Sequence, residues 1–107
     1  MDGTLLNSDK TLSEENLNAI LKLREAGGKF VVSTGRVMQA TRHYFEPVGV
    51  DFPVILSNGG MIYDCHENKV MWSECLPEES SRKMVSELLE RFPEACAEIC
   101  TPEHIYD

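Results

Sequence analysis

Three short segments of the chain end alike, with polar and glycine residues where a strand would give way to a loop. Residues 31–36 read Val-Val-Ser-Thr-Gly-Arg, and residues 54–60 read Val-Ile-Leu-Ser-Asn-Gly-Gly. Residues 1–6 read Met-Asp-Gly-Thr-Leu-Leu. In a parallel α/β sheet the carboxyl ends of the strands share one edge, and ligands bind there. The three segments therefore predict an α/β fold with a polar site at one edge of its sheet.

Three helices are predicted between and after these segments. Ser13 is a suitable N-cap, and the apolar positions after it recur at helical spacing until the glycine pair at 27–28. A second, shorter helix is predicted from Val37 to Phe45. Pro77, with Glu78 and Glu79 beside it, suits the first turn of a third helix, and the apolar spacing predicts an amphipathic helix from Arg82 to Phe92.

A strand is predicted at 29–34, where Phe30, Val31 and Val32 form an unbroken apolar run that indicates burial on both faces, and residues 54–56 predict another buried strand. If Met1 is the tail of an earlier strand, the opening of the chain is a right-handed βαβ unit that brings Asp2 beside Thr34. Residues 61–64 and 70–72 predict an antiparallel hairpin. Residues 95–101 alternate in a way that predicts one more strand.

Length and charge limit the class of protein. A chain of 107 residues suits one domain with a modest core, and 42% hydrophobic with 26% charged residues is typical of a soluble globular protein. A net charge of −8 argues against nucleic acid or an anionic membrane as a main partner, because both require clustered Lys and Arg. We expect no signal peptide and no membrane span, hence a cytoplasmic location.

The cysteine pattern indicates reduced thiols. The chain has four cysteines and none of them forms a CxxC pair. Without a secretory context such cysteines are expected to be free. Cys65, His66 and Cys75 match no common zinc-ligand spacing.

The motifs resemble those of the haloacid dehalogenase superfamily, and most closely those of its Cof-type sugar-phosphatase branch with a large mobile cap. The resemblance lies in Asp-Gly-Thr-Leu-Leu-Asn at 2–7, Ser-Thr-Gly-Arg at 33–36 and Ser-Asn-Gly-Gly at 57–60. The family motif reads Asp-x-Asp-Gly-Thr, so Met1 takes the x position and Asp2 matches the second aspartate. The resemblance spans the whole chain but corresponds to the N-terminal portion of a family member. The nucleophilic aspartate, the lysine motif and the acidic metal motif have no counterpart in this sequence.

The resemblance implies an α/β fold that begins with part of a Rossmann-like parallel sheet and its flanking helices. A β-hairpin and the start of an α+β cap of the C2 type follow. Residues 1–76 are the expected N-terminal part of the core, and residues 77–107 the expected start of the cap.

The resemblance also implies Mg²⁺-dependent hydrolysis of a small phosphomonoester, a sugar phosphate above all, through an aspartyl-phosphate. Asp2 would be the acid and base of the reaction and a metal-site residue, and Thr34 would bond the phosphoryl group. The two family aspartates are two residues apart, a spacing that puts both side chains on one side of a strand. Without the resemblance, Asp2 would be a solvated turn carboxylate and Thr34 a cap at the end of a strand.

Six further residues are candidates for binding phosphate or substrate: Gly3, Thr4, Gly35, Arg36, Asn58 and Gly59. Arg36 has the fork geometry to clamp an anion, but an ion pair with Asp or Glu on the surface is an equal alternative. The pair Asn58-Gly59 equally fits a plain turn.

A rival hypothesis is a non-catalytic fragment or binding module that keeps some phosphate contacts but lacks the nucleophile and the lysine and metal motifs. On either hypothesis the chain as given is expected to be inactive, because it lacks those three elements. The sequence leaves the physiological substrate and the oligomeric state open.

Overall fold

The computed structural model describes residues 1–106, a mixed arrangement of helices and strands. The helices are α1 (Glu14–Glu25), α2 (Arg42–Val48) and α3 (Glu78–Arg91). The strands are β1 (Val54–Leu56), β2 (Met61–Asp64), β3 (Lys69–Ser73), β4 (Ile99–Cys100) and β5 (Ile105–Tyr106). Strands β1, β2 and β3 form an antiparallel sheet in that order, and β4 pairs with β5 in a separate antiparallel pair. Residue 107, the last of the predicted cap segment, lies outside the described residues.

Helices α1 and α3 confirm two of the three helix predictions. The Ser13 hydroxyl oxygen accepts a hydrogen bond from the Asn16 amide at 3.1 Å, which satisfies one of the free donors at the start of α1. Acidic residues occupy the first turn of α1 and basic residues its last turn, in the sense that the helix dipole favours. Helix α3 begins directly after Pro77, as that residue indicates, and so extends four residues before the predicted amphipathic span.

The predicted hairpin is also confirmed. Met61 pairs with Ser73 and Asp64 with Lys69, with one irregularity in register between Ile62 and Tyr63. The turn is fastened by the Asp64 carboxylate, which accepts hydrogen bonds from two backbone amides of the turn. Those bonds lower the pKa of Asp64 because they favour its charged form.

The core lies between the sheet, the 30–34 segment and the helical segment at 38–48. Val54 and Leu56 of β1 are fully buried, and Ile55 between them points to the opposite face. The side chains that pack around them belong to the 30–34 segment, the 38–48 segment and β2. The buried members of this cluster are Val32, Met38, Phe45, Val54, Leu56, Met61 and Tyr63.

The predicted strand at 29–34 is reduced to a single parallel bridge between Ser33 and Ile55. The amide of Ile55 bonds to the Val32 carbonyl and the amide of Thr34 to the Ile55 carbonyl, each at 2.9 Å. The prediction of a full strand at 29–34 is therefore wrong, and at the start of the chain the Met1 carbonyl accepts three amides of a local turn. Burial on both faces is wrong as well, since Val31 is 50% exposed and Ile55 is 37% exposed.

Two further predictions need correction. The second helix is divided at Thr41, whose hydroxyl bonds to the carbonyls of Val37 and Met38. A 3₁₀ turn therefore covers Met38–Ala40, and α2 runs on from Arg42 to Val48. The strand predicted at 95–101 is limited to β4, because the chain turns after it and returns as β5.

Among residues 1–106, none of the helices combines the length and apolar character that a membrane span requires.

Candidate functional site

Two of the three predicted segments meet at one edge of the structure. Beyond the Ser33–Ile55 bridge, the Asn58 amide bonds to the Thr34 carbonyl at 3.2 Å. The Ser57 amide bonds to the Arg36 carbonyl at 3.0 Å. Residues 34–36 therefore run alongside residues 57–58, as the shared edge of parallel strands requires.

Thr34 lies at the base of this edge. Its side chain is buried, with the residue 7% exposed, and its hydroxyl oxygen accepts a hydrogen bond from the Arg36 amide at 3.2 Å. This contact shapes the turn as a strand-end cap would. It uses the hydroxyl as an acceptor, so the hydroxyl proton is available for donation to a ligand.

The third segment reaches the same edge through Asp2. The Asp2 carboxylate accepts two hydrogen bonds from the guanidinium of Arg36, at 2.7 Å from Nε and 2.5 Å from Nη2. Lys10 Nζ lies 3.0 Å from the same carboxylate. Of the two alternatives for Arg36, the structure shows the ion pair, with Asp2 as the partner.

These contacts set the charge states of the pair. Hydrogen bonds from Arg36 and then Lys10 hold the pKa of Asp2 well below its usual range. The bond to Asp2 raises the pKa of Arg36 in return. Both groups are thus fully charged at neutral pH, and the carboxylate is an acceptor only.

Arg36 is itself fixed from two other directions. Its Nη1 donates to the Ala40 carbonyl at 3.2 Å, and its guanidinium carbon lies 5.4 Å from the centre of the Tyr44 ring. The Tyr44 hydroxyl donates to the Lys10 carbonyl at 2.7 Å. Sequence reasoning missed Lys10 and Tyr44, because both sit in segments without a motif and reach the site only by long-range contacts.

Gly35 and Asn58 meet at close range. A Cβ atom added to Gly35 would lie 2.6 Å from Asn58 Oδ1, well inside van der Waals contact. Gly35 therefore leaves room for the Asn58 side chain beside the strand ends. Asn58 occupies the middle of a 3₁₀ turn at Ser57–Gly59 in a left-handed conformation, with φ of 55°. The backbone at Asn58 therefore forms the plain turn that was the alternative for this segment. The Asn58 side-chain amide lies beside Gly35.

The remaining predicted residues lie around the edge of this cluster. Gly3 has a φ of 66°, which a glycine adopts without strain, and it forms the turn after Asp2. Thr4 belongs to the same turn and borders a groove shared with Asn16 and Ser33. Gly59 follows Asn58 in the exposed turn.

The described residues do not fit a complete magnesium site. Residues 1–106 contain no group of three or more His, Cys, Asp or Glu side chains placed to share a metal ion. Asp2 is the carboxylate that contacts Arg36 at the strand ends, and its oxygens accept hydrogen bonds from Arg36 and Lys10. Mg²⁺ is usually bound octahedrally by one or two carboxylates together with water and substrate phosphate, so among the described residues Asp2 would supply one of these ligands.

The fold and the site together define a class. An α/β chain that gathers a carboxylate, a guanidinium, an ammonium and a threonine hydroxyl at its strand ends has the groups that phosphate-ester chemistry uses. Comparison with known proteins gives the family. Residues 1–106 match the haloacid dehalogenase-like hydrolase family, and the chain belongs to it.

Similar proteins carry phosphatase names. The chain is 32% identical over 90 residues to the pyridoxal phosphate phosphatase YbhA of Escherichia coli. This alignment covers 84% of this chain and 33% of that protein. It is 39% identical over 70 residues to the 5-amino-6-(5-phospho-D-ribitylamino)uracil phosphatase YcsE of Bacillus subtilis, covering 65% of this chain and 28% of that protein.

A solved structure supports the same family and fold. A phosphatase of the haloalkanoate enzyme superfamily from Bacteroides thetaiotaomicron superposes with a TM-score of 0.74 at 27% identity. The match covers 98% of this chain and 38% of that one. The chain thus spans about a third of the length of these proteins, and the predicted α/β class is confirmed.

Proposed function

We propose that this chain supplies the phosphate-contacting edge and the acid–base aspartate of a phosphatase that acts on small phosphomonoesters. The observation that carries the proposal is the convergence of Asp2, Arg36 and Thr34 at one edge of the fold. We place the protein in the Cof-type branch, with a cytoplasmic location, Mg²⁺ dependence and an aspartyl-phosphate intermediate. The last two follow from the family resemblance, and the described residues offer at most Asp2 toward the metal.

Each residue has a distinct role in this proposal. Thr34 donates its hydroxyl proton to the phosphoryl group, and the backbone beside Gly35 lies close to it. Asp2 protonates the leaving oxygen and later takes a proton from water. While it is paired with Arg36 the Asp2 carboxylate is ionised, which suits the base step. For the acid step its contact with Arg36 must be exchanged for a contact between Arg36 and the substrate.

The substrate class is argued from the relatives. The names of two of them specify chemically different leaving groups, pyridoxal and a ribitylaminouracil. The part that this chain shares with both would therefore serve the phosphoryl group. We propose sugar phosphates as substrates, with residues 77–107 as the start of a cap and residues 1–76 as part of the core. Asn58 would contact a substrate hydroxyl.

A second candidate is an oxyanion-binding module without turnover. The observation that favours it is the state of Asp2, whose carboxylate is held by Arg36 and Lys10. Such a module would keep the phosphate contacts at Thr34, Gly35 and Arg36. It would need neither a nucleophile nor a metal site.

The two candidates separate in one assay. The chain is joined to the nucleophile, lysine and metal motifs that the family resemblance implies. This extended chain is incubated with an alkyl phosphate and with nitrophenyl phosphate, in the presence of Mg²⁺ or of a chelator. Metal-dependent turnover that falls about 10²–10⁴-fold in Asp2→Asn on the alkyl substrate supports the phosphatase with Asp2 as the acid. The loss on nitrophenyl phosphate should be smaller, since that leaving group needs little protonation.

Two other results would count against the acid role or the activity. Equal losses on both substrates would show that Asp2 does not protonate the leaving group. Phosphate binding without any turnover would favour the module.

A further inference from the structure

We propose that Lys10 and Arg36 form a two-cation site for a phosphate dianion, with Asp2 as an internal stand-in that the dianion displaces. The proposal deepens the proposed function, because both place a phosphate group at Arg36. It differs in adding Lys10 as a binding residue and in making Asp2 a competitor for the site. It concerns binding and holds whether or not turnover follows.

The two cations converge from distant parts of the chain. Lys10 belongs to the loop before α1, and Arg36 follows the bridge at Ser33. Both donate to the same oxygen of Asp2, Oδ1, and Arg36 donates to Oδ2 as well. Because Lys10 Nζ and Arg36 Nη2 both donate to Asp2 Oδ1, the two cations are close enough to contact a single small anion.

Lys10 is held in place by its backbone. It has a φ of 65°, a left-handed conformation that few residues other than glycine adopt. Its amide donates to the Asn7 carbonyl at 3.0 Å, and its carbonyl accepts the Tyr44 hydroxyl at 2.7 Å. Non-glycine residues in this conformation persist when surrounding contacts enforce it, and they are enriched at binding sites.

The neighbouring acid does not compete for Lys10. The carboxylate of Asp9 accepts hydrogen bonds from the amide and the hydroxyl of Thr11, at 3.1 and 2.6 Å. Lys10 therefore contacts Asp2, eight residues away in sequence, instead of the acid beside it. Two cations on one carboxylate leave a local positive charge in a chain whose net charge is −8.

A phosphate dianion is the better partner for this pair. A carboxylate offers two oxygens and one negative charge, while phosphate offers more oxygens and up to two charges, and guanidinium binds either one bidentately. The Lys10 side chain is 61% exposed and that of Arg36 is 25% exposed, so an anion reaches both from solvent. Arg36 keeps its orientation during the exchange through Ala40 and the Tyr44 ring.

The test is the affinity of the full 107-residue chain for inorganic phosphate at low ionic strength, measured from amide shifts at Gly35 and Arg36. Lys10→Met should weaken binding by about tenfold, since it removes one charge-assisted bond. Asp2→Asn should tighten binding several-fold, because it removes the competing charge. Tyr44→Phe keeps the ring over Arg36 and frees the Lys10 carbonyl, so it should weaken binding by a smaller factor.

Two controls separate charge from fold. Lys10→Arg should restore binding, and Lys69→Met, which removes a cation paired with Glu67 in the hairpin, should leave binding unchanged. Unchanged affinity in Lys10→Met, weaker binding in Asp2→Asn, or an absence of phosphate shifts at Gly35 would each overturn the two-cation site. Phosphate binding in this pattern by the extended chain, without turnover, would contradict only the phosphatase proposal.

Discussion

Gly35→Ala tests whether the strand ends form a shaped site or only a turn. The added methyl group would lie 2.6 Å from Asn58 Oδ1, 3.1 Å from Nδ2 and 3.2 Å from Cγ. Ordinary contact begins at 3.4 Å, so the Asn58 side chain has to move by about 0.8 Å. The backbone offers little relief, because residues 34 and 36 are hydrogen-bonded to residues 55, 57 and 58.

The structure predicts a small effect on stability and a large one on function. Asn58 is exposed, so moving its side chain should change the free energy of unfolding by less than about 0.5 kcal/mol. A displacement of about 1 Å at a reacting site costs on the order of 10²-fold in rate. We therefore expect Gly35→Ala to unfold at the same denaturant concentration. In the extended chain, the same substitution should remove most of the activity on a sugar phosphate.

A double-mutant cycle identifies the cause. Asn58→Ala removes the atoms that the new methyl group meets, so Gly35→Ala should add little further loss in that background. The assays are chemical denaturation and kcat/KM, with the Asn58 side-chain amide shift as a direct reading of its displacement. A fall of more than about 2 kcal/mol in stability, or additive losses in the cycle, would refute the reasoning and make Gly35 a folding residue.

Four other measurements test separate features of the chain. In the extended chain, Thr34→Val should lower turnover about 10²–10³-fold, the scale for one lost transition-state donor, and unchanged turnover would leave Thr34 as a strand cap. Because the pKa of Asp2 is lowered by folding, its contribution to stability should be complete above its ordinary value of 3.8 and fade as the pH falls below it. Arg36→Met should reduce this fall in the free energy of unfolding at low pH, measured by denaturant unfolding at a series of pH values. An identical fall in the variant would contradict the pairing of Arg36 with Asp2. Thiol titration of the unfolded, unreduced chain should find all four cysteines free. In the folded chain the half-buried Cys65, whose pKa burial raises, should react more slowly than the exposed Cys75, and equal rates would argue against that difference.

The features that sequence predicts well here are those set by neighbours in the chain. The Ser13 cap, the start of α3 after Pro77 and the hairpin at 61–73 each depend on side chains within a few residues. The motif at 33–36 also predicts its meeting with residues 57–60, because strand ends share an edge in this kind of sheet.

The features that sequence does not predict depend on distant contacts. A run such as 29–34 becomes a full strand only where neighbours pair with it, and in this structure its pairing is confined to the Ser33–Ile55 bridge. Lys10 lies in a polar loop without a motif, and its position follows from contacts with Asp2 and Tyr44. No periodicity or spacing in the sequence encodes those pairings.

The exposure of helix α3 implies that different parts of the structure open locally at different rates. Every residue of α3 is exposed or half-buried, and its ion pairs, Glu78–Arg82 and Lys83–Glu87, lie within the helix itself. Such pairs contribute a few tenths of a kcal/mol each, so α3 can open without disturbing the packing around Val54 and Leu56. Its amide hydrogens should then exchange with solvent through frequent local openings. The amides of β1 and β2, beside the strand ends that carry the site, should exchange only when the core as a whole unfolds.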